Sequence, residues 1–158
     1  MTLDATALPV KNILLDLEVL DKNQLLEYAS ALLEDSVPQG KSKILKSLID
    51  RENMGSTALG RGVAVPHGRL KGVKNIISAL IRTKNSVPYE TPDNHPVKIV
   101  LALIVPKEAT EAHLQTLANI SQMFSNQKFR ENLICLQSPI SAQQMITNWK
   151  FNAETPNK

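Results

Sequence analysis

The stretch Val97-Lys98-Ile99-Val100-Leu101-Ala102-Leu103-Ile104-Val105 decides the fold of this chain. It consists almost entirely of β-branched residues, leucine and alanine, which is typical of a strand covered on both faces. Its uninterrupted apolar part, 99–105, is far shorter than the roughly 18 residues that a membrane-spanning helix needs. The stretch therefore predicts a central strand with helices packed on both sides of its sheet.

Segments with helical spacing of apolar residues lie before and after this strand. The predicted helices cover 21–36, with Asp21 as the N-cap, and 41–50, 110–125, 127–136 and 141–149. Further strands are predicted at 15–19, 63–65 and 75–82. Early and late helices around central apolar strands predict an α/β fold with a three-layer α/β/α sandwich.

Length and composition fit one folded domain. The chain has 158 residues, of which 42% are hydrophobic, so we expect a single domain over 1–151 and a disordered polar tail over 152–158. Charged residues interrupt the first twenty positions, which argues against a secretory signal and favours a cytoplasmic protein without membrane insertion. The net charge of +3 permits an acidic partner, but dispersed lysines and few aromatic residues do not favour nucleic-acid binding.

The single cysteine, Cys135, rules out an internal disulfide. It stands between Ile134 and Leu136, a setting typical of a buried helical face. A Cys-His hydrolase that pairs Cys135 with His113 is an alternative, but the apolar surroundings predict a packing role for this thiol.

The run Gly-Arg-Gly-Val-Ala-Val-Pro-His-Gly-Arg at 60–69 contains the strongest functional signal. Pro66 fixes its own φ and favours extended geometry at Val65, while Gly68 lets another molecule approach the backbone. We therefore expect His67 at the end of a strand on a stiff, open turn. A histidine there can act as nucleophile, base or ligand near neutral pH, or it can merely cap the strand.

Two further blocks make this signal specific. Arg51-Glu52-Asn53-Met54-Gly55-Ser56-Thr57 precedes the glycine run, and Val105-Pro106 is followed by His113-Leu114-Gln115-Thr116-Leu117. In this order the blocks resemble the type-2 enzyme IIA domains of the bacterial phosphoenolpyruvate-dependent phosphotransferase system, the fructose and mannitol class that includes the nitrogen-regulatory enzyme IIA proteins. The resemblance runs from about Val10 to Met145 and implies a small mixed sheet within the sandwich.

The resemblance also implies roles for three residues. The Pro-His-Gly histidine of the family accepts the phosphoryl group, so His67 is the expected phosphohistidine, and Arg51 and His113 are expected to support the phosphate. A planar guanidinium suits phosphate oxygens, although Arg51 also fits a cation at a helix C-terminus. His113 follows the candidate N-cap Thr110 by three positions, where protonation is disfavoured; the alternative is a surface histidine at a helix start.

No cofactor is implied, and the three histidines lack metal-ligand spacing, so we expect no metal site. His95 lies in a polar turn and is expected to be a loop residue. Gly40-Lys41-Ser42 resembles the end of a phosphate-binding P-loop, but Asp35 stands where that motif has its first glycine, so it is interpreted as a helix start. The glycines at 55, 60 and 62 fail the dinucleotide-binding spacing and are expected to form turns.

The resulting hypothesis is a phosphohistidine carrier that takes its phosphoryl group from the phosphorylated histidine phosphocarrier protein and controls regulatory target proteins by its phosphorylation state. The nitrogen-regulatory branch is favoured because no transport or enzyme IIB region is attached, and because Arg51 to Thr57 and Asp93 to Val97 look closest to that branch. A sugar-specific enzyme IIA that passes phosphate to an enzyme IIB cysteine is the alternative. A second is a non-catalytic interaction module of the same fold, which loss of His67 or Arg51 would have favoured.

Overall fold

The computed structural model describes residues 3–149. The predicted disordered tail, 152–158, lies outside the described residues. The helices and strands follow one another along the chain, with single 3-10 turns at Val10–Asn12 and Glu34–Ser36. They are β1 Ile13–Leu17, α1 Lys22–Leu33, α2 Lys41–Asn53, β2 Ala58–Gly60, β3 Val63–Ala64, β4 His67–Leu70, β5 Ile77–Val87, β6 Val97–Pro106, α3 Glu111–Ser125, α4 Gln127–Cys135 and α5 Pro139–Asn148.

The six strands form one mixed sheet in the order β1-β5-β6-β3-β2, with β4 also paired to β6. The pairs β1–β5, β3–β6 and β4–β6 are parallel, whereas β5–β6 and β2–β3 are antiparallel. The α/β class and the small mixed sheet are thus confirmed. No helix within the described range 3–149 is long and apolar enough to cross a bilayer.

Strand β6 lies in the middle of two apolar layers, as its sequence predicts. Successive side chains of a strand point to opposite faces. Accordingly Val100, Ala102 and Ile104 pack in the cluster with the apolar faces of α1 and α2, whereas Ile99 and Leu103 pack in the cluster with α3, α4 and α5. Burial on both faces explains why the strand carries no alternation of apolar and polar residues.

Strands β3 and β4 are two halves of one extended path along β6. Val63 pairs with Ile99 and His67 pairs with Leu103, which keeps a single parallel register. The path is interrupted at Pro66, which has no N–H to donate, although its carbonyl still accepts from the Leu103 N–H at 2.9 Å. His67 therefore opens β4; the prediction that it ends a strand is wrong.

The sequence correctly located the helices and misplaced several strand boundaries. Asp21 caps α1 as expected, its carboxylate accepting from the backbone N–H of Gln24 at 2.9 Å, and Gly40 starts α2 as a helix N-cap. Strand β1 covers Ile13–Leu17 rather than 15–19, and its register with β5 shifts around Asp16, which has φ of 59°. Strand β5 continues to Val87, beyond the predicted end at 82.

Gly68 has a different role from the expected one. A Cβ at this position would lie 2.3 Å from the Ser47 Oγ and 2.8 Å from its Cβ. Helix α2 therefore occupies the space in which an approaching molecule was expected. The glycine lets α2 pack directly against β4, which fixes the distance between the end of α2 and His67.

Cys135 is exposed rather than buried, so the prediction of a buried face is wrong. It is the last residue of α4, two positions beyond the buried Leu133. Two helical positions correspond to about 200° of rotation, which places its side chain on the opposite side of the helix.

Candidate functional site

His67 is held by a hydrogen bond to its own chain. Its Nδ1 lies 2.9 Å from the carbonyl oxygen of Val65. A carbonyl oxygen only accepts hydrogen bonds, so Nδ1 carries the proton in this contact. In the neutral ring Nε2 is therefore unprotonated and has its lone pair available.

Burial lowers the pKa of His67 below its ordinary value, since a charged ring loses hydration there. The hydrogen bond to Val65 and the carboxylate of Glu52 act in the opposite direction, while Arg51 and Arg69 add to the lowering. The neutral imidazole thus predominates at neutral pH. Its unprotonated nitrogen is the form that a nucleophile requires.

Arg51 lies in the last turn of α2, and its Nη1 donates to the carbonyl oxygen of Gly55 at 2.8 Å. This bond holds the guanidinium at the start of the turn into β2. The structure brings Arg51 and His67 together, because both line a cavity of about 180 Å³. Its other lining residues are Ser56, Thr57, Ala58, Leu59, Val65, Leu117 and Ser121. The same two side chains also line a larger open groove between α2 and β4.

His113 occupies the predicted first turn of α3, but it is absent from the lining of both of these cavities. Its Nδ1 accepts from the backbone N–H of Thr110 at 3.0 Å, and the Thr110 hydroxyl in turn accepts from the His113 N–H at 3.4 Å. This reciprocal arrangement is a capping box. Because Nδ1 accepts, a neutral His113 carries its proton on Nε2, which makes that atom a donor. Leu117, one helical turn further on, does line the His67 cavity.

A buried carboxylate beside Arg51 was not assigned a role from sequence. Glu52 is only 7% exposed and receives the Lys22 Nζ at 2.8 Å and the Tyr89 hydroxyl at 2.8 Å. The Thr57 hydroxyl also donates to it, and the Lys22 Nζ lies 4.4 Å from the centre of the Tyr89 ring. Its spacing of four from the buried Leu48 and of eight from the buried Ile44 was the signal that could have revealed its inward position.

This network determines the charge state of the buried groups. Although burial by itself raises the pKa of Glu52, hydrogen bonds from Lys22, Thr57 and Tyr89 outweigh it and hold the pKa below its ordinary value. Burial raises the pKa of Tyr89, so its hydroxyl stays protonated and can donate to Glu52.

Glu52 is connected to His67 through the backbones of two residues, Thr57 and Val65. The backbone N–H of Thr57 donates to Glu52 at 3.3 Å, and the Thr57 carbonyl accepts from the Val65 N–H at 3.1 Å. The Val65 carbonyl then accepts from His67 Nδ1. Glu52 thus anchors the segment that presents the His67 acceptor.

The remaining candidates lie elsewhere. His95 is a loop residue, as expected, and its Nδ1 lies 3.4 Å from the Asp93 carboxylate. Cys135 lines neither cavity that contains His67. Within residues 3–149, no group of three or more histidine, cysteine, aspartate or glutamate side chains is arranged to hold a metal ion.

An imidazole with a free Nε2 beside a guanidinium, on this mixed sheet, agrees with the resemblance found in the sequence. The chain belongs to the family described as "Phosphoenolpyruvate-dependent sugar phosphotransferase system, EIIA 2", which it matches over residues 6–149. It is thus a phosphotransferase-system component of the enzyme IIA type.

Some proteins similar to this chain are named as nitrogen regulators, and others are named as sugar-specific components. The chain is 35% identical to a nitrogen regulatory protein of Pseudomonas aeruginosa over 128 residues, which cover 80% of this chain and 83% of that protein. The crystal structure of nitrogen regulatory protein IIA-Ntr from Neisseria meningitidis superimposes with a TM-score of 0.87 at 39% identity, covering 90% and 98% of the two chains. The mannitol IIA structure from Escherichia coli shares the fold at 18% identity, with a TM-score of 0.70 and coverage of 86% and 96%.

Proposed function

We propose that this protein carries a phosphoryl group on Nε2 of His67, which it receives from the phosphorylated histidine phosphocarrier protein, and that its phosphorylation state controls partner proteins of a nitrogen-related phosphotransferase system. The observation that carries the proposal is the hydrogen bond from His67 Nδ1 to the Val65 carbonyl, 2.9 Å long. It leaves Nε2 as the nucleophilic atom of a ring whose pKa is lowered.

The transfer balances without any other reactant. The Nε2 lone pair of His67 forms a bond to phosphorus as the phosphorus–nitrogen bond of the donor breaks, and that bonding pair returns to the donor ring nitrogen. A donor ring protonated on its other nitrogen leaves as neutral imidazole. His67 keeps its Nδ1 proton, and the Val65 carbonyl continues to accept the hydrogen bond from it. The reaction therefore involves no proton transfer.

Arg51 and His113 are proposed to stabilise the transferred group. Phosphoryl transfer depends mainly on positioning and on compensation of the negative charge of the oxygens. The guanidinium of Arg51 lines the His67 cavity and supplies charge with two parallel donors. The Nε2–H of His113 is the donor that its capping contact leaves available. It reaches the phosphoryl group only if the donor's phosphate extends toward the start of α3.

The regulatory branch is favoured by the relatives. Two of the relatives named as nitrogen regulators share 35% and 39% of aligned residues with this chain. The fructose-specific EIIABC component of Bacillus subtilis shares 27%, and this chain covers 20% of its length. Control of partners follows from the charge added at His67, since a phosphoryl group brings about two negative charges to a half-buried surface.

Labelling with radioactive phosphoenolpyruvate, enzyme I and the histidine phosphocarrier protein tests the proposal. Wild-type protein is expected to take up acid-labile phosphate, and His67→Ala is expected to take up none. His95→Ala is the matched control, because His95 is an exposed loop histidine, and it should label like wild type. Labelling of His67→Ala at the wild-type rate would place the acceptor elsewhere.

The alternative function is that of a sugar-specific enzyme IIA. The observation that supports it is the 27% identity of this chain to the fructose-specific component. Such a protein hands its phosphate on to a cysteine of an enzyme IIB domain. Mixing labelled protein with fructose-type and mannitol-type enzyme IIB domains separates the two functions. The regulatory function predicts that the label stays on His67, whereas rapid loss to an enzyme IIB would establish the transport function.

A further inference from the structure

A separate cavity lies where β4 and β6 end side by side, at the opposite end of β4 from His67. Leu70 pairs with Pro106 in the last register of these two parallel strands, and the Lys107 N–H donates to the Leu70 carbonyl at 3.1 Å. The chain therefore leaves both strands at the same edge of the sheet. The carboxyl ends of parallel strands are a common location for ligand sites in open α/β sheets.

Three lysines line this cavity, which has a volume of about 370 Å³. Lys71 and Lys107 directly follow the paired strand ends, and Lys74 lies in the segment that leads to β5. We call this feature the lysine pocket, and its other lining residues are Gly72, Val73, Pro106, Glu108, Thr110 and His113. Its volume lies within the range of small-molecule sites.

The positive charge of the lysine pocket exceeds its negative charge. The three lysines and the carboxylate of Glu108 give it a formal net charge of +2 when His113 is neutral. In the described part of the chain, 3–149, none of these lysines takes part in an ion pair, and all three are exposed. Like charges around one concave surface concentrate its field, so an anion that enters is attracted by all of them.

His113 adds a hydrogen-bond donor to the lysine pocket. It is half-buried, and its Nδ1 accepts from the Thr110 N–H at 3.0 Å, so the neutral ring has its Nε2–H available. His113 lines this pocket but neither of the cavities that contain His67. The structure thus places this donor with the three lysines rather than with Arg51.

The lining of the pocket indicates which anion it suits. A lysine ammonium group is a compact point charge and a common phosphate ligand. Several such charges around one cavity match an anion whose charge is distributed over several groups. None of the nine lining residues, all of them described, is aromatic, so the pocket offers no stacking surface for a nucleobase. The group that it would recognise is therefore a chain of phosphates.

We infer that the lysine pocket binds a small anion with two or more phosphate groups, either a free oligophosphate or the phosphate chain of a nucleotide. The ammonium groups of Lys71, Lys74 and Lys107 would contact the phosphate oxygens, and the Nε2–H of His113 would donate to one of them. This site goes beyond the proposed function and does not depend on it, since binding requires no phosphorylated histidine.

Titration of the full-length, nitrogen-15-labelled protein with inorganic triphosphate tests the site, at low ionic strength and without magnesium. NMR locates the bound anion, and isothermal titration calorimetry measures its affinity. We expect one saturable site, with the largest amide shifts over 71–74 and 107–113. Sodium chloride should weaken the binding because salt screens exposed charges. Orthophosphate, which carries fewer charges, should bind about tenfold more weakly than triphosphate.

A double variant, Lys71→Gln with Lys107→Gln, should bind triphosphate about tenfold more weakly than wild type. The matched control is Lys41→Gln with Lys128→Gln, which should bind like wild type. It removes the same charge at two exposed lysines that line neither the lysine pocket nor the His67 cavities. Equal thermal midpoints of the two double variants will show that both are folded.

The fold should tolerate these changes because the hydrogen bonds at positions 71 and 107 are made by backbone atoms. The Lys71 carbonyl accepts from the Gln39 side chain, and the Lys107 N–H donates to Leu70. A further variant, Glu108→Gln, removes the carboxylate from the lining of the pocket. It should bind triphosphate more tightly than wild type, an outcome that loss of structure cannot produce.

An equal loss of affinity in the two double variants would show that the anion responds only to net charge, and would overturn the inference. The largest shifts at Lys43 and Arg69, which line the groove beside His67, would overturn it as well. So would shifts that do not saturate.

ATP without magnesium distinguishes the two sources of the phosphate chain. An affinity equal to that of triphosphate, with no shift of the adenine protons, is the expected result and supports recognition of the phosphates alone. Tighter binding of ATP than of triphosphate, with shifted adenine protons, would also support the site but would assign it to a nucleotide. Binding of neither probe would overturn the inference and would leave the proposed function of His67 untouched.

Discussion

The Val65 carbonyl oxygen lies 2.9 Å from Nδ1 of His67, two residues further along the same extended path. This contact determines which ring nitrogen carries the proton and which is free to react. Pro66, between the two residues, has a fixed φ and restricts the backbone on which this contact forms. A local sequence feature thus selects the reactive atom of the imidazole.

The pH dependence of transfer follows from the lowered pKa of His67, which burial causes first. We expect the transfer rate to be constant above pH 6.5, the ordinary value for histidine, and to fall only as the pH drops through the lower folded-state value. The contribution of this neutral ring to stability should likewise be present above pH 6.5 and lost as the pH falls through that folded-state value. Nitrogen NMR titration of His67, compared with single-turnover rates, measures both; a midpoint at or above 6.5 would contradict the assignment.

Replacing Arg51 by lysine should slow phosphorylation about a hundredfold. An ammonium group is a point charge and cannot hold two phosphate oxygens in one plane. The loss of one charge-assisted contact in the transition state is worth about 2 to 4 kcal/mol. Single-turnover transfer into Arg51→Lys, with Lys46→Arg as a control that keeps the charge of the groove, measures this effect. Equal rates for wild type and Arg51→Lys would leave Arg51 only its structural bond to Gly55.

His113→Gln separates the two roles open to His113. Glutamine is a normal partner in a capping box, so α3 should keep its start and the protein its thermal midpoint. The variant lacks the Nε2–H of the imidazole. If His113 supports the phosphoryl group, the transfer rate should fall about tenfold in the folded variant. An unchanged rate, together with unchanged stability, would restrict His113 to capping.

Glu52→Gln should destabilise the protein and also change the titration of His67. Loss of the carboxylate leaves Lys22 without its ion-pair partner, which should cost about 2 to 4 kcal/mol because Lys22 keeps partial access to water. Since Glu52 raises the pKa of His67, that pKa should fall further in the variant. Denaturant unfolding and NMR titration measure the two effects, with the exposed Glu27→Gln as control. If the pKa of His67 in Glu52→Gln equals that in the wild-type protein, Glu52 does not influence the site.

Much of the fold could be predicted because its main determinants are local. The apolar run of β6 identified a strand buried on both faces, and the helices carried clear spacing with recognisable caps at Asp21 and Thr110. Strand β4 was missed because it is short and begins after a proline. Its existence depends on pairing with β6, a contact that no local pattern of residues 67–70 indicates.

In the candidate site, too, the residues with a local sequence signature could be predicted, whereas those that depend on distant contacts could not. His67 and Arg51 carry a sequence signature, and the structure places them on the same cavity. The role of Glu52 depends on Lys22 and Tyr89, which are distant in sequence and meet it only in the folded chain. Cys135 was misjudged because apolar neighbours in a helix do not fix which side of it a residue occupies.

The most direct test of the central claim is to identify the atom that carries phosphate. Wild-type protein labelled uniformly with nitrogen-15 would be phosphorylated through phosphoenolpyruvate and the carrier proteins and followed by nitrogen and phosphorus NMR. We expect one phosphohistidine, at His67, with phosphorus bonded to Nε2 and the proton retained on Nδ1. Phosphorus on Nδ1 of His67, or on His95 or His113, would contradict the account.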